Sequence, residues 1–247
     1  MKLIISPAKK MKIEDGLAWK DYPVFLKQTE TLLEYMQGLS YEEAKALWKC
    51  NDQIAALNVE RFAGMNVRGD LSPAILSYEG IQYQYMAPGV FERTSLEWIQ
   101  EHLRILSGFY GVLLPMDGIV PYRLEMQAKV QMPGCRDLYD FWKDAIYQEV
   151  TKNARVILNL ASKEYSKCVE KYLCEKDRFI TCVFAEEVNG KLVQKGTLAK
   201  MARGEMVRYL AEIQAEEPEE AKGFARLGFA FREERSGGRE YIFVKSK

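Results

Sequence analysis

Arg155-Val156-Ile157-Leu158-Asn159-Leu160-Ala161-Ser162-Lys163-Glu164-Tyr165 is the stretch on which the fold turns. Arg155 to Leu160 is apolar and β-branched, which predicts a buried strand. Ser162 is placed to open a helix as its N-cap. The junction of a buried strand and a helix is where α/β sheets collect ligands, and a helix N-terminus offers N–H groups to an anion. Asn159, Ser162, Glu164 and Tyr165 crowd this junction with more polar groups than a cap requires.

The N-terminus has a similar form. Leu3-Ile4-Ile5 predicts a short buried strand running into Ser6-Pro7, and Lys2, Lys9, Lys10 and Lys12 precede the first acid, Glu14. Lys9 leaves the sheet edge either in a solvated loop or in contact with phosphate. Val24 to Gln37 carries Phe25, Leu32, Leu33 and Met36 at helical spacing, and Gly38 stops it. Ser40 with Glu43 forms a capping box, and Asn51 caps a further helix bearing Ile54, Leu57 and Phe62. The link at Lys49-Cys50 is so short that the two helices fold back as a hairpin. That hairpin is a plain core element or a grip on nucleic-acid phosphates, although its turn lacks the usual pair of glycines.

Farther along, aromatics and alternation predict a strand from Ala74 to Tyr85, broken at Gly80. Ser95 is read as the cap of a helix with Leu96, Ile99, Leu103 and Leu106 on one face, ended by Gly108. Pro121 to Met126 alternates as a strand, with Tyr122, Leu124 and Met126 on one side and Arg123 and Glu125 on the other. Asp137 to Val150 is helical, Asn189-Gly190 turns a hairpin, Leu198 to Ile213 is helical, and two strands close around Gly237-Gly238. Helices and strands interleave without a constant βαβ repeat. The expected fold is therefore one α+β domain over 1–247, a mixed sheet flanked by helices, with a helical lobe at about 24–66 that contains the hairpin.

The 247 residues include 35 Lys plus Arg and 35 Asp plus Glu, so no overall field draws the chain onto a polyanion and any such site arises from local clustering. Hydrophobic residues at 48% and charged residues at 28% belong to a globular chain. The apolar start is too short for a signal sequence or a membrane span, which predicts a cytoplasmic protein with no membrane partner. Five cysteines without a CxxC pair read as reduced thiols. A single His102, beside Ile99 and Leu106, reads as a packed residue; no metal and no cofactor are expected. No GxSxG, P-loop or GxGxxG is present.

Two further features could carry chemistry. Lys200 and Arg203 share a helix face, and the following Gly204 costs about 1 kcal/mol against Ala, so it calls for the close approach of a backbone or a ligand. Arg123 and Glu125, at i and i+2, form a structural ion pair or position a substrate, with Glu125 and Glu164 the candidate acids or bases.

Several of these segments, in this order, resemble the YaaA family of peroxide-stress proteins. The likeness is carried by Ile5-Ser6-Pro7-Ala8-Lys9, by Leu103 to Gly111 with Pro121 to Met126, by Asp137 to Trp142, by Asn159 to Tyr165 and by Lys200-Met201-Ala202-Arg203-Gly204. Lys10 replaces a usual Thr, Gly80 to Tyr85 lacks an Asp and a Gly of the family pattern, and Leu114 replaces an Arg. The resemblance implies a cytosolic protein that limits free iron during hydrogen peroxide stress and binds DNA through a basic cleft and a helix-hairpin-helix element. On that basis Ser6, Lys9, Lys10, Arg123, Asn159, Ser162, Lys200 and Arg203 are expected at phosphates of duplex or distorted DNA, and Lys49 and Asn51 in the hairpin. The competing expectation is an enzyme acting on a nucleotide or nucleic-acid base through Arg123, Glu125, Asn159, Ser162 and Glu164.

Overall fold

The three apolar residues Leu3, Ile4 and Ile5 can be shielded from water only with neighbours on both sides, and this is the environment they find. In the computed structural model, which describes residues 1–14 and 16–246, β1 (Lys2–Ile5) is a central strand, buried on both faces. The chain passes through the short β2 (Lys10–Met11) to α1 (Leu26–Gln37), α2 (Tyr41–Trp48) and α3 (Asp52–Ala63). The Ser40–Glu43 capping box is formed, and Asn51 Oδ1 accepts from Ile54 N–H at 3.0 Å. Lys49 reverses the chain between α2 and α3 at φ 48°. Trp48 and Phe62 stack at 5.8 Å, and both join the buried cluster that holds β1.

The next segment departs from expectation. It comprises β3 (Ser72–Pro73), α4 (Ala74–Ser77), β4 (Tyr78–Glu79) and α5 (Ile81–Met86), so only two residues of the expected 74–85 strand, beyond the edge residue Pro73, are extended. Then α6 (Arg93–His102) gives way to β5 (Leu103–Ser107), where a continuing helix was expected. Helical spacing in a short apolar run does not exclude a strand buried on both faces, and here pairing with β1 wins. At the helix end the free Glu101 O accepts from Arg104 Nη1 at 2.9 Å and from Lys2 Nζ at 2.8 Å. Ser95 is not the cap; its Oγ lies buried against Ala211 O.

After β6 (Gly111–Leu113) and β7 (Gly118–Ile119), residues 121–125 join no ladder and Met126 lies in a turn, where a strand was expected. Tyr122, Leu124 and Met126 are buried as expected, but Glu125 is buried too, at 8% exposure, held by its pairing with Arg123 and Lys9. There follow α7 (Leu138–Trp142), α8 (Ala145–Thr151), β8 (Val156–Asn159), α9 (Lys163–Glu170), β9 (Arg178–Val188), β10 (Lys191–Val193), α10 (Gly196–Glu212), β11 (Phe229–Phe231) and β12 (Glu240–Lys245). The main sheet has the order β11-β12-β9-β8-β1-β5-β6, with β10 folded onto β9. The four ladders from β12 to β5 are parallel, while β11, β6 and β10 pair antiparallel. In register, Leu3 lies opposite Leu103 on one side and Leu158 on the other. The architecture is α+β with a mixed sheet.

Candidate functional site

Because β1 and β8 are parallel neighbours, their carboxyl ends deliver Ser6 and Ser162 to one place. Ser162 N–H donates to Ser6 Oγ at 2.8 Å, and Ser6 Oγ–H donates to Ser162 Oγ at 3.2 Å. Ser162 stands at the N-cap of α9, but its hydroxyl does not cap the helix. Tyr83 OH donates to Ser6 O at 3.0 Å and ties α5 to the same turn.

Two close backbone approaches complete the walls. The 121–126 segment crosses the end of β5 on Gly108, where a Cβ would lie 2.4 Å from Leu124 O. This holds Leu124 inward and leaves Arg123 and Glu125 on the opposite side. Helix α10 crosses α5 at Gly204, where a Cβ would lie 2.1 Å from Gln82 O. The glycine predicted to need a close neighbour therefore meets backbone, and the crossing brings Lys200, Arg203 and Gln82 together. The walls enclose about 420 Å³, within the roughly 300–1,000 Å³ typical of small-ligand sites.

Glu125 Oε1 accepts from Arg123 Nη2 at 2.9 Å and pairs with Lys9 Nζ at 3.1 Å. Lys10 pairs with Glu79 at 3.1 Å. Burial pushes the Glu164 carboxyl above its ordinary value; Gln127 N–H, donating to Oε1 at 3.2 Å, opposes this, and the nearby Glu125 adds to it. Desolvation pushes the Arg203 guanidinium below its ordinary value. Arg123 Nε, Arg203 Nε and Gln82 Nε2 are buried, with no hydrogen-bond partner among the described residues. A guanidinium with a buried, unsatisfied Nε and, at Arg203, no carboxylate partner among the described residues attracts an anion that can supply acceptors.

Ser6, Lys9, Lys10, Arg123, Glu125, Ser162, Glu164, Lys200 and Arg203 thus line one cavity, although they come from distant segments. Asn159 does not line it. Its Oδ1 accepts from Ala161 N–H at 2.9 Å and its Nδ2 donates to Thr181 Oγ1 at 3.2 Å, so it braces the strand end. Lys49 and Asn51 also lie outside the cavity lining, at the α2–α3 turn. Gln82 and Tyr83 were missed because their segment reads as a strand; the one sequence signal toward them was the helical Gly204. His102 is buried away from the cavity, stacked on Trp98 at 4.5 Å, with Nδ1 3.0 Å from Met1 O. All five cysteines are free. Among the described residues no three His, Cys, Asp or Glu side chains gather as a metal-holding group, and no helix is long and apolar enough to cross a membrane.

Fold and site together define an α+β protein with a net-positive cavity at the carboxyl ends of parallel strands. Residues 1–235 match the family described as peroxide stress protein YaaA. A UPF0246 protein of Agathobacter rectalis is 54% identical over 246 residues, covering 99% of each chain. A UPF0246 protein of Desulfitobacterium hafniense is 53% identical over 247 residues, covering 100% of this chain and 98% of its own. One from Lactiplantibacillus plantarum is 48% identical over 245 residues, covering 99% of each. The chain belongs to the peroxide stress protein YaaA family.

Proposed function

We propose that this family member binds DNA at the cavity, by shape rather than sequence, as part of protection against hydrogen peroxide. The observation that carries the reading is Arg203, a guanidinium with no carboxylate partner among the described residues and a buried, unsatisfied Nε, lining a cavity whose rim bears Lys9, Lys10 and Lys200. Phosphate supplies the missing acceptors, and an open rim with exposed lysines accommodates a strand. The α2–α3 hairpin is a second contact in this reading, but a weaker one. Asp52 occupies the start of α3, held by Lys45 and by Tyr41 OH at 2.9 Å, and a carboxylate there repels phosphate. In this reading the limitation of free iron is an indirect effect.

The test is fluorescence anisotropy with duplex, bulged, junction and single-stranded DNA across a salt series. Phosphate contacts by Arg123, Lys200 and Arg203 give a slope of log Kd against log salt of about 3 on duplex, and removing the last two lowers it by about 2. An unchanged slope in the double variant removes the cavity from the interface.

A second reading, an enzyme acting on a nucleotide or base, is favoured by one observation. Glu125 and Glu164 face the same partly enclosed cavity, one paired with two cations and the other pushed toward its protonated form. Such a difference suits one carboxyl to charge stabilisation and the other to proton transfer. Conversion of a nucleotide that is abolished by Glu164→Gln, with binding retained, would establish it.

A further inference from the structure

The charges around the cavity do not cancel. Glu79 matches Lys10, and Glu125 is shared by Lys9 and Arg123. Lys200 and Arg203 have no ion-pair partner among the described residues. Even with Glu164 ionised, five cations line the cavity against three carboxylates, a surplus of two positive charges.

The unsatisfied donors tell the same story. Gln82 is only 7% exposed, yet its Nε2 has no acceptor among the described residues. It comes from the same helix crossing as Arg203, since the adjoining Gly204 abuts Gln82 O. Arg123 Nε supplies a third such donor from the segment that crosses β5. A ligand that satisfies this set presents acceptors alone and carries two negative charges. An internal phosphodiester carries one, whereas a terminal phosphate carries about 1.5 to 2 at neutral pH.

We propose that the cavity cradles a terminal phosphate monoester, with Lys200, Arg203 and Gln82 as its principal holders. This rests on the reading of the cavity as a nucleic-acid site and specifies its ligand. The shared chemistry belongs equally to a phosphorylated strand end and to a free nucleoside monophosphate. Glu125, paired with Arg123 Nη2 and Lys9 Nζ, stands beside this cradle and leaves Arg123 Nε free to donate.

The experiment is anisotropy of one 3′-labelled single strand in its 5′-phosphorylated and 5′-hydroxyl forms, with unlabelled dAMP and deoxyadenosine as competitors. The 5′-phosphate tightens binding about tenfold or more, the effect of one further charge-assisted contact set. Arg203→Met reduces that advantage to less than about threefold, and so does Lys200→Met, a change at an exposed side chain that leaves the fold intact. Competition by dAMP but not deoxyadenosine identifies the free nucleotide as a source. Selective strand binding that dAMP does not displace identifies the strand end, and either result upholds the cradle. Equal binding of the two strand forms overturns it, and the DNA reading survives if Lys200→Met still weakens both. Failure of every strand and nucleotide to bind overturns both proposals.

Discussion

Replacing Arg203 by Met removes a charge that has no counter-charge among the described residues, and so separates stability from binding. Met follows the path of the arginine stem and retains its packing on α10. An unsatisfied buried N–H costs about 1–3 kcal/mol. Arg203 is only partly buried, which places the relief in the lower part of that range, at about 1–2 kcal/mol. In a chain of this size each kcal/mol shifts Tm by about 2–4 °C, so the variant melts about 2–8 °C above the native protein. Differential scanning calorimetry and urea unfolding measure this, with the m-value unchanged. The same variant loses the stabilisation that a 5′-phosphorylated strand gives the native protein. Arg226 is the control: it pairs with Glu205 at 3.2 Å and with Glu212, so Arg226→Met lowers Tm. A fall in Tm for Arg203→Met with ligand stabilisation retained would refute the argument, because Arg203 would then be a satisfied structural residue.

Two further predictions concern the frame of the site. Gly204→Ala sets a Cβ 2.1 Å from Gln82 O, and backbone cannot yield as a side-chain tip does; overpacking outweighs the helix-propensity gain and destabilises by about 2 kcal/mol or more, read as a lower urea midpoint. A variant at least as stable as the native protein would contradict the close crossing of α5 and α10. Burial pushes the Asp117 carboxyl up from 3.8 to about 7. A carboxyl raised in the folded state supports the fold below its unfolded value and loses that support as pH climbs through about 7. Asp117→Asn keeps an acceptor for Leu114 N–H, which donates to Oδ2 at 2.9 Å, so its Tm matches the native value near pH 4 and exceeds it at pH 8. Three units at about 1.4 kcal/mol each bound the gain at about 4 kcal/mol. A variant-minus-native difference that stays flat from pH 4 to 8 would sink this account.

The features set by neighbours in the chain were legible in the sequence. The Ser40–Glu43 box, the Asn51 cap, the strand before Ser162 and the Asn189-Gly190 turn all form as read, because capping and turn chemistry act over a few residues. The alternation of 121–126 picked out Tyr122, Leu124 and Met126 as buried but missed that Glu125 is buried as well, and no ladder forms there. Of the polar cluster after β8, Ser162, Glu164 and Tyr165 line the cavity, while Asn159 is spent on Ala161 N–H and Thr181 Oγ1. Leu103 to Ser107 defeats a local reading: its leucines continue a helical stripe, and pairing with β1 on one edge and β6 on the other makes the segment a strand. The segment holding Gln82 fails for the same reason, since its aromatics suit either period.

By itself, then, the sequence determined the α+β character, the caps, the turns and the residue types able to hold an anion. Only tertiary structure decided that Ser6, Arg123, Ser162 and Arg203 share one cavity, that Gln82 joins them and that Asn159 does not. The physical reason is range. Caps and turns are settled by bonds within one helical turn, whereas the register of parallel strands and the crossing of two helices at Gly204 are settled by burial between residues more than a hundred positions apart.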